Sequence, residues 1–156
     1  MARFFSGLAI VALTAGCASP ATGPQFSLAP VAPDKGTVYL YRPYAKFNDA
    51  GYPHVFINGE KKFPLRHMGY AMLALPPGTY EIKFEGAKME WWPPAATRTL
   101  GVEAGQEYFI RVIPALPPGV QAGPYLFTNN ISRAIVDLVP KQEALSQIRE
   151  LRLIED

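Results

Sequence analysis

The sequence predicts a mainly β protein: an antiparallel β-sandwich of about eight strands followed by a short C-terminal amphipathic helix. Short runs rich in β-branched and aromatic residues recur along the chain, and Gly, Pro or Asn separates them. The 16 prolines among 156 residues disfavour long helices. The single cysteine excludes a disulfide within the chain, so the domain must be held together by a hydrophobic core.

The strands follow one another with turns at close intervals. In the first run, Val38 and Leu40 alternate with Tyr39 and Tyr41, which is the period of a β-strand. The run 79–86 shows the clearest alternation of apolar and polar residues, as expected when one face of a strand is buried. Strands are predicted over 36–43, in a hairpin over 54–65, and over 69–75, 79–86, 97–103, 106–115, 125–128 and 131–140.

Two turns have a specific chemistry. Asn58-Gly59 suits a type I′ hairpin turn, because that turn needs a positive φ at both central residues. Pro77 and Gly78 suit the central positions of a type II turn, so a tight turn is predicted after the strand 69–75.

The period changes after Pro140. The run 140–151 places Leu145, Ile148 and Leu151 on one helical face. Pro140 fits the first helical position, where its missing N–H costs nothing. This predicts one short amphipathic helix that packs against the strands.

The first residues have the pattern of a secretory signal peptide, predicted as 1–16. A positive charge at Arg3 precedes an apolar run from Phe4 to Leu13, and small residues follow up to Cys17. The apolar run is too short for a membrane-spanning helix, which needs about 20 residues. We therefore expect export and removal of this segment.

The residues Ala15, Gly16 and Cys17 resemble a bacterial lipobox, with Thr14 in place of the commoner Leu. The resemblance implies cleavage between Gly16 and Cys17, and a covalent diacylglycerol and N-acyl chain on Cys17. Two or more acyl chains hold a protein stably on a membrane, whereas one holds it only marginally. The alternative is an ordinary signal peptide cut slightly later, which would discard Cys17.

The segment 17–35 is predicted to be a lipidated, proline-rich tether, because it holds four prolines and few large apolar residues. A disordered tail without a role would look the same. The residue after Cys17 is Ala18. In such lipoproteins an Asp at this position would retain the protein at the inner membrane. By resemblance to such lipoproteins, a Gram-negative protein of this kind would lie on the periplasmic face of the outer membrane.

The domain predicted over 36–156 resembles a known family. The runs "GTVYLYRP", "VFINGEKKFPL" and "GYAMLALPPGTYEIKF", with the closing helix "KQEALSQIREL", resemble the DUF2846 domain of bacterial lipoproteins. The middle portion is also similar to PEGA-type β-sandwich modules. These motifs consist of strands and turns, so the resemblance implies a fold and transfers no catalytic residue.

No pattern for catalysis or metal binding stands out. His54 and His67 are the only histidines, and their spacing fits no zinc motif. Ser27, Ser132 and Ser146 lack the context of a nucleophile elbow. The formal net charge of +2 gives no basic excess for nucleic acid. The sequence therefore predicts a non-enzymatic protein without a cofactor or a metal.

Binding is the stronger hypothesis, and two features support it. Trp91 and Trp92 lie in a predicted loop, where exposed aromatic residues are typical interface anchors. We favour the alternative that they cover the open edge or end of the sandwich, where one of two adjacent indoles can pack inward while the other points out. Lys61, Lys62 and Arg66, beside His67, form a basic patch that could meet lipid headgroups; an ordinary solvated face is the favoured alternative.

The first predicted strand is a third candidate. Tyr39, Tyr41 and Arg42 could bind a glycan or a peptide if their face is open, although a second packed layer is the favoured reading. The sequence thus predicts a lipid-anchored envelope protein that acts as an interaction or accessory module. Its expected partners are membrane lipid through Cys17 and an envelope protein. A module that binds an envelope polymer through the Trp91 and Trp92 loop is the alternative.

Overall fold

The computed structural model describes residues 20–45, 51–87, 91–116 and 133–155. Within these ranges none of the helices is long and apolar enough to span a membrane. The described parts contain nine strands and one helix, in the order β1 (Gly36–Arg42), β2 (His54–Ile57), β3 (Glu60–Pro64), β4 (Gly69–Leu75), β5 (Gly78–Glu85), β6 (Ala96–Val102), β7 (Glu107–Ala115), β8 (Arg133–Leu138), α1 (Lys141–Ile148) and β9 (Arg152–Leu153).

The strands form two sheets that pack on each other, which confirms the predicted β-sandwich. The first sheet has the order β8-β7-β1-β4-β9, and the second has the order β3-β2-β5-β6. Most neighbours are antiparallel, but β1 pairs parallel with β7, and β4 pairs parallel with β9. The first sheet is therefore mixed.

The main core lies between the sheets and is formed by the inward side chains of alternate residues. From the first sheet, β1 supplies Val38 and Leu40. From the second, β5 supplies Ile82 and Phe84, in agreement with the alternation in the sequence. All four side chains are fully buried. Each such side chain contributes roughly 1.5–3 kcal/mol to folding when it is removed from water.

The outer face of the first sheet carries a second core. Tyr39 and Tyr41 point away from the other sheet and pack with residues of the helix, such as Ala144 and Ile148. Both tyrosines are completely buried. The structure thus contains the second packed layer that the sequence analysis favoured. The alternative, an open face carrying Tyr39 and Tyr41, is excluded. It also explains why every residue of β1 is buried.

The two predicted turns differ in outcome. Asn58 and Gly59 have φ values of 50° and 82°, which matches the positive φ of a type I′ turn at both positions. Gly78 has a φ of 159°, far from the ~80° of a type II turn. The chain leaves β4 in one sheet at Leu75 and enters β5 in the other sheet at Gly78, so the two prolines between them link the sheets.

The C-terminal helix is shorter than predicted. Pro140 has φ and ψ of −56° and 140°, so it precedes the helix and is not its first residue. The helix ends at Ile148, and Leu151 is buried beyond it. The chain then forms β9, which the sequence did not predict. Of the predicted strand 131–140, Arg133–Leu138 is confirmed; the predicted strand 125–128 lies outside the described residues.

The described part of the predicted tether is attached to the domain. The amide of Gly23 donates to the carbonyl of Leu153 at 3.2 Å, and the amide of Leu153 donates to the carbonyl of Pro24 at 2.8 Å. The ring of Phe26 packs edge-on against Tyr39 and Tyr70. The structure therefore corrects the prediction of a free tether for this part of 17–35, because its backbone and Phe26 have partners in the domain.

Candidate functional site

The sandwich has two ends, which the strand registers define. Arg42 of β1 pairs with Gly69 of β4, and His54 of β2 pairs with Glu85 of β5. We call this end, with the loops that leave it, the Arg42 end. The opposite end, where β1 begins at Gly36, is the Gly36 end. It includes the turn at Gly105, whose amide donates to the carbonyl of Lys35 at 3.0 Å.

Trp91 lies inside the Arg42 end and is not a surface anchor. Its side chain is 1% exposed and belongs to the main core. Its amide donates to the carbonyl of Ala87 at 2.7 Å, which fixes the backbone next to β5. Trp92 is only half-buried. The prediction of Trp91 as a binding residue is therefore corrected, since a core indole cannot reach a ligand at the surface.

The guanidinium of Arg42 is buried beside Trp91. Arg42 has no exposed surface, and its Cζ lies 5.0 Å from the centroid of the Trp91 ring. Its Nη1 donates to the carbonyl of Gly51. A buried cation needs such partners, because an uncompensated charge in the interior is very costly. Arg42 thus joins the end of β1 to two loops, and its burial excludes the alternative in which it lies on an open binding face.

The residues of the predicted basic patch lie in two places. Lys61 and Lys62 are exposed on the edge strand β3, and Lys62 pairs with Glu60 at 2.7 Å. Arg66 lies beyond the other end of β3, in the connection to β4, with its Cζ 5.4 Å from the centroid of the Tyr52 ring. The lysines follow the hairpin turn, whereas Arg66 belongs to the Arg42 end.

Both histidines also lie at the Arg42 end. His54 opens β2, with its ring 5.8 Å from that of Tyr52, and the ring of His67 lies 5.5 Å from that of Tyr44. Across residues 20–45, 51–87, 91–116 and 133–155, no three His, Cys, Asp or Glu side chains are grouped so that they could hold a metal ion.

A small open cavity lies where the N-terminal segment meets the Arg42 end. The amide of Ala21 donates to the carbonyl of His67 at 3.1 Å, and the side chain of Ala21 is buried. The cavity has a volume of about 240 Å³ and is lined by Pro20, Ala21, Thr22, Arg66 and Glu155. The sequence did not indicate this site, because residues separated by more than a hundred positions form it.

A cluster of charged and polar side chains lies under the helix. Arg111 on β7 donates to Asp137 at 3.0 Å and to Glu143 on the helix at 3.1 Å. The hydroxyl of Tyr41 donates to Oε1 of Gln147 at 2.9 Å. These bonds link the helix to the strands beneath it, so the cluster serves packing.

Burial changes the acidity of the tyrosines in this layer. Desolvation raises the pKa of Tyr41 to about 12, although the charge of Arg111 opposes the rise. Desolvation also raises the pKa values of Tyr39 and Tyr70. All three phenols therefore hold their protons more tightly than an ordinary tyrosine and ionise only at a higher pH.

The chain belongs to the DUF2846 family of proteins of unknown function, whose family model matches residues 32–125. This confirms the family that the strand and turn motifs indicated. Comparisons with curated proteins and with solved structures gave no match.

Proposed function

We propose that this protein is a lipid-anchored component of the bacterial cell envelope, held by Cys17 in the outer membrane and facing the periplasm. The observation that carries the proposal is the order of the first residues: a charged start, a short apolar run, and small residues before the single cysteine. In this proposal Cys17 is the first residue of the mature protein and carries a diacylglycerol and an N-acyl chain.

We further propose that the sandwich is a non-enzymatic interaction or accessory module. Supporting this, the described charged cluster around Arg111 links the helix to the sheet, and Trp91 and Arg42 stabilise one end of the fold. These groups are occupied with holding the domain together. The partner on the protein side is an envelope protein.

The anchor has a direct test. Mass spectrometry of the protein purified from membranes should show a mature chain that begins at an acylated Cys17. Cys17→Ser should abolish the acyl mass and release the protein from the membrane fraction. A mature chain that begins at Ser19 or later would refute the anchor.

Two further experiments test the location and the role. Ala18→Asp should move the protein from the outer to the inner membrane fraction, while Ala18→Ser should leave it in place. Cross-linking in the envelope should capture one defined protein partner. Capture of the same proteins by a Cys17-anchored unrelated domain would show that the sandwich contributes nothing to partner choice.

A further inference from the structure

We propose that the Arg42 end of the sandwich lies directly against the phospholipid headgroups of the membrane that holds Cys17. This inference rests on the proposed lipid anchor, and it adds an orientation and a contact surface. The free tether expected from the sequence would instead let the domain stand clear of the bilayer.

The first argument is the short chain between the anchor and the fold. Cys17 and Pro20 are three residues apart, so the chain between them spans at most about 11 Å, whatever its conformation. Pro20 borders the cavity at the Arg42 end, and the amide of Ala21 is bonded to His67. The Gly36 end lies a further length of β1 away, about 20 Å for a seven-residue strand.

The second argument is that the segment after Pro20 is held at several points. The amide of Gly23 bonds to Leu153, and the amide of Phe26 bonds to Leu151 at 2.9 Å. Arg152 donates from Nη1 to the carbonyl of Gly23 at 3.2 Å. These bonds join the segment to β9 and to Leu151, which precedes it. The anchor therefore cannot move to another face of the domain without breaking them.

The third argument is the chemistry of the surface that this orientation presents. Tyr44 is 61% exposed and packs its ring edge-on with His67. Arg66 lies over Tyr52 and borders the cavity, with Glu155 also on its rim. Tyrosine and arginine combine an apolar body with a polar tip, which suits the headgroup region of a bilayer. A basic side chain near an anionic surface adds roughly 1 kcal/mol of attraction.

The test uses the single cysteine. Since Cys17 is the only cysteine and its sulfur would be alkylated in the mature protein, any introduced cysteine is the one free thiol. Tyr44→Cys places a label at the Arg42 end, and Ala104→Cys places a label in an exposed turn at the Gly36 end. Each acylated, full-length mature variant is labelled with the environment-sensitive dye NBD. It is then reconstituted into vesicles of phosphatidylethanolamine and phosphatidylglycerol.

The label at position 44 should show blue-shifted emission and quenching by headgroup spin labels, whereas the label at 104 should behave as in water. Thr22→Cys replaces an exposed side chain at the Arg42 end, and its label should respond like the label at position 44. This second variant keeps the test valid if Tyr44→Cys does not fold. Water-like emission at both ends, or bilayer-like emission at both ends, would overturn the orientation.

Mass spectrometry of the same samples separates the two proposals. If Cys17 carries no acyl mass, the lipid anchor fails. If Cys17 is acylated and the label at 44 remains water-like, the anchor stands and the proposed contact is wrong.

Discussion

The guanidinium of Arg42 and the indole of Trp91 form a buried cation–π pair, with Cζ of the arginine 5.0 Å from the ring centroid. Neither side chain is accessible to solvent beyond 1%. A desolvated pair of this kind contributes about 2 kcal/mol or more. The pair connects the last residue of β1 to the residues that follow β5, so the stability of the Arg42 end depends on it.

Truncation of the two neighbouring tryptophans should therefore have unequal effects. Trp91→Ala should lower the free energy of unfolding by about 3–5 kcal/mol, because it opens a cavity in the core and leaves Arg42 without its aromatic partner. Trp92→Ala, at a half-buried position, should cost clearly less. Urea unfolding followed by circular dichroism measures both, and equal losses would contradict this account.

Two glycines allow a matched comparison of added side chains. Gly86 lies at the Arg42 end beside Trp91, whereas Gly101 lies in β6 with open space around it. A Cβ on Gly86 would lie 2.5 Å from Cβ of Trp91 and 3.0 Å from the carbonyl oxygen of Tyr52. Gly86→Ala should therefore destabilise the protein by about 1–3 kcal/mol, as overpacking does. Gly101→Ala on β6 meets nothing within 4 Å and should be neutral or slightly stabilising. Thermal unfolding of the two variants gives the comparison.

The attached N-terminal segment makes a prediction that a free tether does not. Phe26 packs its ring 5.5 Å from Tyr39 and 5.1 Å from Tyr70. Phe26→Ala should lower the free energy of unfolding by about 1–2 kcal/mol, through lost burial and lost aromatic contacts. Leu28→Ala removes a side chain that is 44% exposed and should change stability by less than about 0.5 kcal/mol. Chemical denaturation measures both variants. If neither changes the free energy of unfolding, the segment behaves as a free tether and this account is wrong.

Stability should fall in alkaline solution as the covered tyrosines ionise. The pKa of Tyr41 is raised from 10.0 to about 12 in the folded protein, so the folded state holds this proton more tightly than the unfolded state. Its contribution is fully present below pH 10 and is lost as the pH rises through 12. Tyr39 and Tyr70 act in the same direction.

Urea unfolding at a series of pH values measures this loss, with tyrosinate absorbance as a parallel signal. Tyr41→Phe removes one titrating group, so its stability should decline less steeply between pH 10 and pH 12 than that of the unaltered protein. Identical slopes would show that Tyr41 does not contribute to the alkaline loss.

Local patterns were sufficient to predict most of the strands. Alternation identified β5, and Asn58-Gly59 identified the hairpin, because both signals depend only on neighbouring residues. β9 was missed because two residues cannot show a period. The link through the two prolines after β4 was predicted as a turn, because the sequence does not show that the chain changes sheets there.

The candidate site was harder to predict, because contacts between residues far apart in the sequence determine which side chains are buried and which line the cavity. Adjacent tryptophans look alike in sequence, yet Trp91 is in the core and Trp92 is not. Arg42 resembled a surface residue, since no local pattern marks an arginine that will meet an indole. The cavity beside Arg66 combines the first and the last described residues of the chain, and a local reading does not bring these together.

The bond between Gln25 and the carbonyl of Arg149 spans 124 positions of the sequence. The N-terminal segment therefore cannot dock until the C-terminal residues are present, because its hydrogen-bond partners Arg149, Leu151 and Leu153 lie there. If the chain is exported as proposed above, the segment from Pro20 onwards would dock only after the C-terminal residues have crossed the membrane.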